Sequence, residues 1–281
     1  MTTYLLVDTS TWLAVAEDRS LAPVLTDLAQ IIDAGHAKLF VPDVITNEFA
    51  RNRTSILDRA KKQFEKTSNA ASTIARLLDE TDQNTLQELL DRASKRVAAE
   101  TEAVAESLRL AERLLSGAIP LTPSAAARSR ALTRAIEKKA PFHKGRNSAA
   151  DALIVECLRD VVQSSAMKAT DEAVFITLNK NDFSDPKHEL RPHPDYDDLF
   201  AGRIRYSLNL AEVLATIEPT KDWSDEIATY ARRVAEDSAC IAGDAHDFRE
   251  GAYLRSRYGG LTWQEWCSKC HVIRDTADPW D

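Results

Sequence analysis

Short apolar runs separated by helical segments constrain the fold of this chain more than any other feature. Residues 4–7 (YLLV), HAKLFVP at 36–42, AVFITL at 173–178 and GRIRYSL at 202–208 have the length and apolar content of buried strands. Helical patterns lie between them, and Asn209 stands at the N-cap position of the last one. Alternating strands and helices predict an α/β fold with a central parallel sheet.

A long helical pattern interrupts this alternation between residues 54 and 116. Apolar residues recur there at spacings of three, four or seven: Ile56, Ala60, Phe64, Ala71, Ile74 and Leu78, then Leu86, Leu90, Ala93, Val97, Val104, Leu108, Ala111 and Leu115. The segment DETDQNT separates the two series. We predict a long helical hairpin, part of an insertion at about 54–140 within a domain spanning 1–218. Its role stays open between structure, oligomerisation, a protein partner and substrate binding.

Residues 219–281 show no strand pattern and include the tryptophan-rich segment WQEWCSKCHVIRDTADPW. We predict a small helical C-terminal extension that folds over the main domain or meets a partner. Cys267, Cys270 and His271 have the spacing of a haem attachment site, but that chemistry requires export, so we expect no haem. A zinc site completed by Cys240 or His246 stays open, although a polar turn carried by a helix is the preferred interpretation.

Charge and targeting signals restrict the partners. The net charge of −8 argues against a protein that coats nucleic acid through its overall field. Two local basic stretches remain, and each is equally typical of a solvated helix face: Arg51, Arg53, Arg59, Lys61 and Lys62, and then Lys138, Lys139, His143, Lys144 and Arg146. The N-terminus lacks a basic region and a cleavage site, no apolar run is long enough to span a membrane, and cysteines are sparse. We therefore expect a cytoplasmic protein.

Acidic and amide side chains stand where the predicted strands end or helices begin: Asp8, Glu48, Asp151, and the group Asn179, Asp182 and Asp185. Taken singly, each acid has a structural explanation, such as a helix cap at Asp8, a surface position at Glu48 or a capping box from Ser148 to Asp151. Taken together they predict a site, because the ends of parallel strands converge on one edge, where like charges repel unless cations hold them. Carboxylate oxygens suit Mg²⁺ or Mn²⁺.

The segments LLVDTSTWL, VITNEF, NSAADALIVECL and VFITLNKNDF have the order and character of the acidic motifs of PIN-domain nucleases. The chain resembles that family over residues 4 to about 50 and 142–217. The resemblance implies a three-layer sandwich around a central parallel sheet, and metal-dependent endonucleolytic cleavage of single-stranded or structured RNA, less often DNA. It assigns metal binding to Asp8, Glu48 and Asp151, and matches Ser10 to the small hydroxyl residue that often follows the first acid.

The fourth motif departs from the family pattern. The family usually has an acid two residues after a strand-ending Thr, whereas Thr177 and Leu178 lead here to Asn179. An amide oxygen can ligate Mg²⁺ but brings no charge. Asp182 is expected to reach the same site if one helical turn follows Asn179. We therefore predict Asp182 as the charged ligand, Asn179 and Thr177 as supporting residues, and Asp185 as a turn former.

The resulting hypothesis is hydrolysis of a phosphodiester at an acidic metal site, leaving a 5′-phosphate by analogy with the family. Lys144 and Arg146, together with Arg51, are candidates for contacts to the nucleic-acid backbone. A phosphatase with an aspartyl nucleophile ranks well below, because Ser10 stands where its general acid is expected. A receiver-like phosphoacceptor domain would need an acceptor Asp after a middle strand, and this sequence has none there. The alternative to an enzyme is a non-catalytic scaffold that binds protein or RNA through the helical arm and the C-terminal tail.

Overall fold

The computed structural model describes residues 2–75, 78–144, 148–163, 167–236, 248–255, 261–267 and 273–279. Its strands are β1 (Thr3–Val7), β2 (Ala37–Pro42), β3 (Ile119–Leu121), β4 (Glu172–Ile176), β5 (Ser184–Asp185), β6 (His188–Pro192), β7 (Ile204–Ser207), β8 (Phe248–Arg255), β9 (Leu261–Cys267) and β10 (Ile273–Pro279). Its α-helices are α1 (Thr9–Glu17), α2 (Ala22–Asp33), α3 (Asp43–Ala75), α4 (Glu80–Gly117), α5 (Ala125–Ile136), α6 (Ala149–Gln163), α7 (Lys180–Phe183), α8 (Asp197–Phe200), α9 (Leu210–Ile217) and α10 (Ser224–Glu236). Short 3₁₀ turns cover Arg19–Leu21, Phe142–Lys144 and Pro194–Tyr196.

A five-stranded parallel sheet in the order β3-β2-β1-β4-β7 forms the centre of the molecule, and helices flank it. The central strand β1 pairs with β2 from Thr3 opposite Ala37, and with β4 through Val7 opposite Ile176. Every residue of β1 is buried, as expected for a strand covered on both faces. The predicted α/β class with a central parallel sheet is confirmed, and the carboxyl ends of β1, β2 and β4 share one edge.

Helix α1 is fixed against the end of the central strand. The indole Nε1 of Trp12 donates to the Val7 carbonyl at 3.0 Å, and the Trp12 ring is buried in the core. A tryptophan buried in this way fills volume and satisfies its polar atom at once. The carbonyl of Asp8 accepts from the backbone N–H groups of Thr11 and Trp12, so the strand passes into the helix without an intervening loop.

The long helical hairpin is confirmed and consists of α3 and α4, which pack against each other. Leu86, Leu90, Ala93 and Val97 are partly buried among exposed neighbours, as the seam predicts, and Leu108, Ala111 and Leu115 are buried in the domain core. The hairpin begins earlier than expected, because α3 is one continuous helix from Asp43. The same helix therefore carries Glu48 and one side of the arm.

The C-terminal region departs from its prediction. Helix α10 is present, but β8, β9 and β10 form an antiparallel sheet, so a purely helical extension is wrong. Neither face of the sequences FREGAYLR, LTWQEWC or IRDTADP is uniformly apolar, and the period-two signal of a half-buried strand is therefore missing. The edge strand β3 and the β5–β6 hairpin were also not predicted. Strands β3 and β5 have only three and two residues and show no periodicity, and β6 has the polar, proline-ended sequence HELRP of a loop.

No helix in the described ranges combines the length and apolar character needed to cross a membrane.

Candidate active site

The first acid and the fourth motif lie side by side because their strands are neighbours. Asp8 follows β1 directly, and Thr177 follows β4 directly. The backbone N–H of Asp8 donates to the carbonyl of Ile176 at 2.8 Å, which extends the ladder between the two strands to the edge of the sheet. The sheet register therefore brings the predicted motifs together without help from any loop.

Asp8 is held by hydroxyl groups. Its side chain is 3% exposed, and its Oδ2 accepts from Ser10 Oγ at 2.6 Å and from Thr177 Oγ1 at 3.0 Å. Although Asp8 occupies the N-cap position of α1, its side chain makes no capping hydrogen bond, so the helix-cap explanation is wrong. The carboxylate is aimed at the sheet edge.

The two hydroxyls are themselves fixed by the backbone of the fourth motif. Thr177 Oγ1 accepts from the N–H of Asn179 at 2.9 Å, and Ser10 Oγ accepts from the N–H of Leu178 at 3.3 Å. Because each hydroxyl has one hydrogen and donates it to Asp8, the backbone bonds leave little freedom of rotation. Ser10 and Thr177 thus orient the Asp8 carboxylate.

Asp182 reaches the site through the helical turn that its spacing predicts. Helix α7 follows Asn179, whose carbonyl accepts from the N–H of Phe183 at 3.2 Å and whose Nδ2 donates to Asp182 Oδ2 at 3.0 Å. Asp182 is 7% exposed, and its Oδ1 is buried with no hydrogen-bond partner among the described residues. Asp185 Oδ1 instead accepts from the N–H of Lys187 at 2.8 Å, which agrees with its predicted role in a turn.

Glu48 on α3 and Asp151 in the first turn of α6 complete the group. Burial, and after it the charges of Asp8, Asp182 and Glu48, together raise the pKa of Asp151 from 3.8 to about 8. Burial likewise raises the pKa of Asp8, with Glu48 adding to the rise and the Ser10 and Thr177 hydrogen bonds opposing it. The predicted acids therefore converge closely enough for their charges to affect the ionisation of Asp151.

The donor chemistry of this group fits a hard divalent cation. All four predicted acids offer carboxylate oxygens, and one of these, Asp182 Oδ1, is buried and accepts no hydrogen bond from any residue that the structure describes. Within the described ranges, no three His, Cys, Asp or Glu side chains already stand in the arrangement of a metal site. A cation would displace the proton that the raised pKa keeps on Asp151, since binding of a metal requires deprotonated ligands.

The structure describes some of the basic residues that were predicted to contact the nucleic-acid backbone, and it leaves others outside the described ranges. Arg51 is exposed on α3, one turn beyond Glu48, whereas Arg53 forms an ion pair with Glu112 at 2.5 Å. The side chain of Lys144 and the whole of Arg146 lie outside the described residues. Arg51 is therefore the one predicted backbone-binding residue whose exposed position the structure shows.

Sequence reasoning missed the aromatic and charged groups behind α7. Tyr196 and Arg134 are buried, and the Arg134 guanidinium lies 4.5 Å from the centre of the Tyr196 ring. Rings of His143 and His193 also lie 4.8 Å apart. His193 and Tyr196 share one 3₁₀ turn, but Arg134 lies on α5 and His143 on another turn, and no spacing in the sequence connects these three segments.

The proposed zinc ligands remain untested. Cys267 ends strand β9 and does not lie on a helix, so the expected helix-borne turn is wrong at this position. Cys240, His246, Cys270 and His271 lie outside the described residues.

Comparison with known proteins identifies one family. A protein-family model described as PIN domain matches residues 5–183, which is more than half of the chain and includes all four acids. Neither the curated proteins nor the solved structures gave a significant match.

Proposed function

The chain belongs to the PIN-domain family, whose members are in general nucleases, and from this premise we propose that it is a divalent-metal-dependent endonuclease with single-stranded RNA as its favoured substrate. The observation that carries the proposal is the convergence of Asp8, Glu48, Asp151 and Asp182, whose charges act together on the pKa of Asp151. A purely structural cluster of this kind would destabilise the fold with nothing to offset the cost. A preference for RNA over DNA is supported by the family resemblance alone.

Each residue has a proposed part. Asp8, Asp151 and Asp182 hold Mg²⁺ or Mn²⁺, and Glu48 binds it directly or through water. The bound cation supplies Lewis acidity for hydrolysis of the phosphodiester. Ser10 and Thr177 keep Asp8 oriented, as their hydrogen bonds indicate.

Asn179 and the basic residues have supporting parts in the proposal. Asn179 holds Asp182 by the amide hydrogen bond that the structure contains. Arg51, Lys144 and Arg146 contact the phosphates of the substrate, since such contacts position a strand without reading its sequence.

Side-by-side cleavage assays with RNA and DNA oligonucleotides in Mn²⁺ test the proposal. We expect Asp8→Asn to lower the rate at least about 100-fold, because loss of a charged ligand removes transition-state stabilisation. Asp182→Ala should give a similar loss, and Asn179→Ala a smaller one. Asp185→Asn is the matched control, because this carboxylate accepts a turn hydrogen bond from the Lys187 N–H, and the variant should cleave normally. Cleavage by the Asp8→Asn variant at the wild-type rate would contradict the mechanism.

A non-catalytic scaffold is the second candidate, and the amide at Asn179 is the observation that favours it. The two candidates differ in metal binding. Isothermal titration with Mn²⁺, combined with a cleavage assay at high protein concentration, separates them. If the protein neither binds Mn²⁺ nor cleaves, the nuclease proposal is excluded and the scaffold is retained. Toxin, defence and RNA-processing roles all agree with the proposed activity. A short antitoxin gene beside the gene for this protein would indicate the toxin role.

A further inference from the structure

Two buried polar atoms with complementary hydrogen-bonding capacity belong to segments that pack against each other at the back of the acidic site. One is the acceptor Asp182 Oδ1 and the other is the hydroxyl of Tyr196, and neither has a hydrogen-bond partner in the part of the chain that the structure describes. Tyr196 is 0% exposed. Leaving either group unsatisfied in the interior costs roughly 1–3 kcal/mol, so such groups are normally paired directly or through a buried water.

Tyr196 is attached to the same turn that carries Asp182. The N–H of His193 donates to the carbonyl of Phe183 at 2.7 Å, and the N–H of Tyr196 donates to the carbonyl of His193 at 2.9 Å. The Tyr196 ring also packs against the ring of Phe183, with centroids 6.1 Å apart. These contacts fix Tyr196 directly behind α7.

Arg134 prepares the Tyr196 hydroxyl to donate. Its guanidinium covers the ring face at 4.5 Å and is itself held by Glu156 at 2.7 Å and by the Ala140 carbonyl at 3.2 Å. A cation over the ring withdraws electron density from the phenol and strengthens its O–H as a donor.

The hydroxyl nevertheless stays protonated, because burial raises the pKa of Tyr196 well above 10, and the charges of Asp151, Glu156 and Asp182 add to the rise, whereas Arg134 lowers it.

We propose that the Tyr196 hydroxyl donates through one buried water to Asp182 Oδ1, and that Tyr196 is thereby a positioning residue for metal binding by Asp182. The role in metal binding rests on the proposed nuclease function, whereas the hydrogen-bonded link does not. Asn179 already binds Oδ2, so the link would fix the second oxygen and with it the plane of the carboxylate. The oxygen has two lone pairs and can accept this bond while it also ligates a cation.

Tyr206 provides a matched control. It is a second tyrosine beside the site, and the charge of Asp8 contributes to its raised pKa, but its hydroxyl already pairs with Ser184 Oγ at 2.8 Å. Tyr206→Phe therefore removes a hydroxyl from the same region without touching Asp182.

A double-mutant cycle in metal-free protein tests the link itself. The unfolding equilibrium constants of Tyr196→Phe, Asp182→Asn and the double variant are measured in urea with a chelator present. We expect non-additivity of at least about threefold, because residues in one hydrogen-bond network couple. Additive effects within error overturn the link whether or not the protein is a nuclease.

Mn²⁺ titration without substrate tests the positioning role. We expect Tyr196→Phe to weaken Mn²⁺ binding by about 10- to 100-fold, the usual effect of losing an outer-shell partner, with Tyr206→Phe unchanged. In cleavage assays, raising the Mn²⁺ concentration should restore the Tyr196→Phe rate, with KM for the oligonucleotide unaltered. If the wild-type protein cleaves the oligonucleotide but Tyr196→Phe binds Mn²⁺ as tightly as the wild type, the positioning role is overturned and the proposed function is not. Wild-type protein that binds no Mn²⁺ overturns that role together with the proposed function, and the unfolding cycle then still decides the link.

Discussion

At the scale of single residues, the surroundings of Asp8 and Asp151 affect the charged forms of the two carboxylates differently. Asp8 is buried but receives two hydroxyl hydrogen bonds, which support its charged form. Asp151 lacks such hydroxyl donors among its described contacts, and burial with three neighbouring charges raises its pKa to about 8. We therefore expect Asp151 to hold a proton at neutral pH in the absence of a cation.

This protonation predicts the pH dependence of stability in metal-free protein. Between pH 3.8 and about 8 the folded state keeps a proton on Asp151 that the unfolded chain has released. Stability should therefore be greatest near the low end of this range and fall as pH rises toward 8, by at most about 1.4 kcal/mol per pH unit for one proton. Urea unfolding at several pH values with a chelator measures the slope.

Two variants complete that measurement. Asp151→Asn should make the slope shallower, because the carboxyl group of Asp151 no longer titrates, whereas Asp185→Asn should keep it. Saturating Mn²⁺ should reverse the slope, since the cation competes with the proton. A chelated protein whose stability rises between pH 5 and 8 contradicts the assignment.

At the scale of elements, the helix that carries Asp151 is clamped by buried ion pairs. Glu156 on α6 is 1% exposed in its side chain and binds Arg130 at 2.6 Å, Arg134 at 2.7 Å and Arg159 at 3.0 Å. Arg130 and Arg134 lie on α5, so one carboxylate joins the two helices. Removing one partner of such a network leaves buried charge uncompensated, which is why buried pairs are costly to break even where they add little net stability.

Glu156→Gln should destabilise the protein by about 3 kcal/mol, because Arg134 then keeps its charge in the interior without a counter-ion. Glu102→Gln is the matched control: its ion pair with Arg109 on α4 has side chains 66% and 61% exposed, and its loss should leave stability unchanged. Chemical denaturation of both variants measures the difference. Equal stabilities would show that the buried clamp contributes no more than a surface pair.

At the scale of the whole molecule, the hydrophobic core extends beyond the matched family region. Trp223 and Tyr230, which lie after the expected domain boundary at residue 218, belong to the same buried cluster as the sheet residues. Trp223 is 4% exposed and donates its Nε1 to the Glu218 carbonyl at 2.9 Å. We infer that the cooperative folding unit continues through α10.

Trp223→Ala should therefore destabilise the whole domain by about 3 kcal/mol, since a large buried side chain is lost and a cavity remains. Unfolding followed by far-ultraviolet circular dichroism and by fluorescence should still give one coincident transition. Leu190→Ala, at a side chain that is 80% exposed, serves as the control and should have no effect. An early, separate transition in Trp223→Ala would place α10 in an independent unit.

Local patterns in the sequence determined the parallel sheet, the helical arm and the positions of the acids. Apolar runs that end in polar residues identify the buried strands and the acids at their carboxyl ends, and the recurring spacing from Leu86 to Leu115 identifies the arm. Even the approach of Asp182 follows from one helical turn after Asn179. These features depend on neighbours within a few residues, which is the range over which periodicity carries information.

Only the tertiary structure decided the remaining features. The C-terminal sheet lacks an apolar face in its sequence, and β3 is too short to show a period. Tyr196 and Arg134 come together behind Asp182 from positions 62 residues apart, through packing that leaves no local trace. The raised pKa of Asp151 has the same origin, because burial and the distance between charges on different elements exist only once the chain has folded.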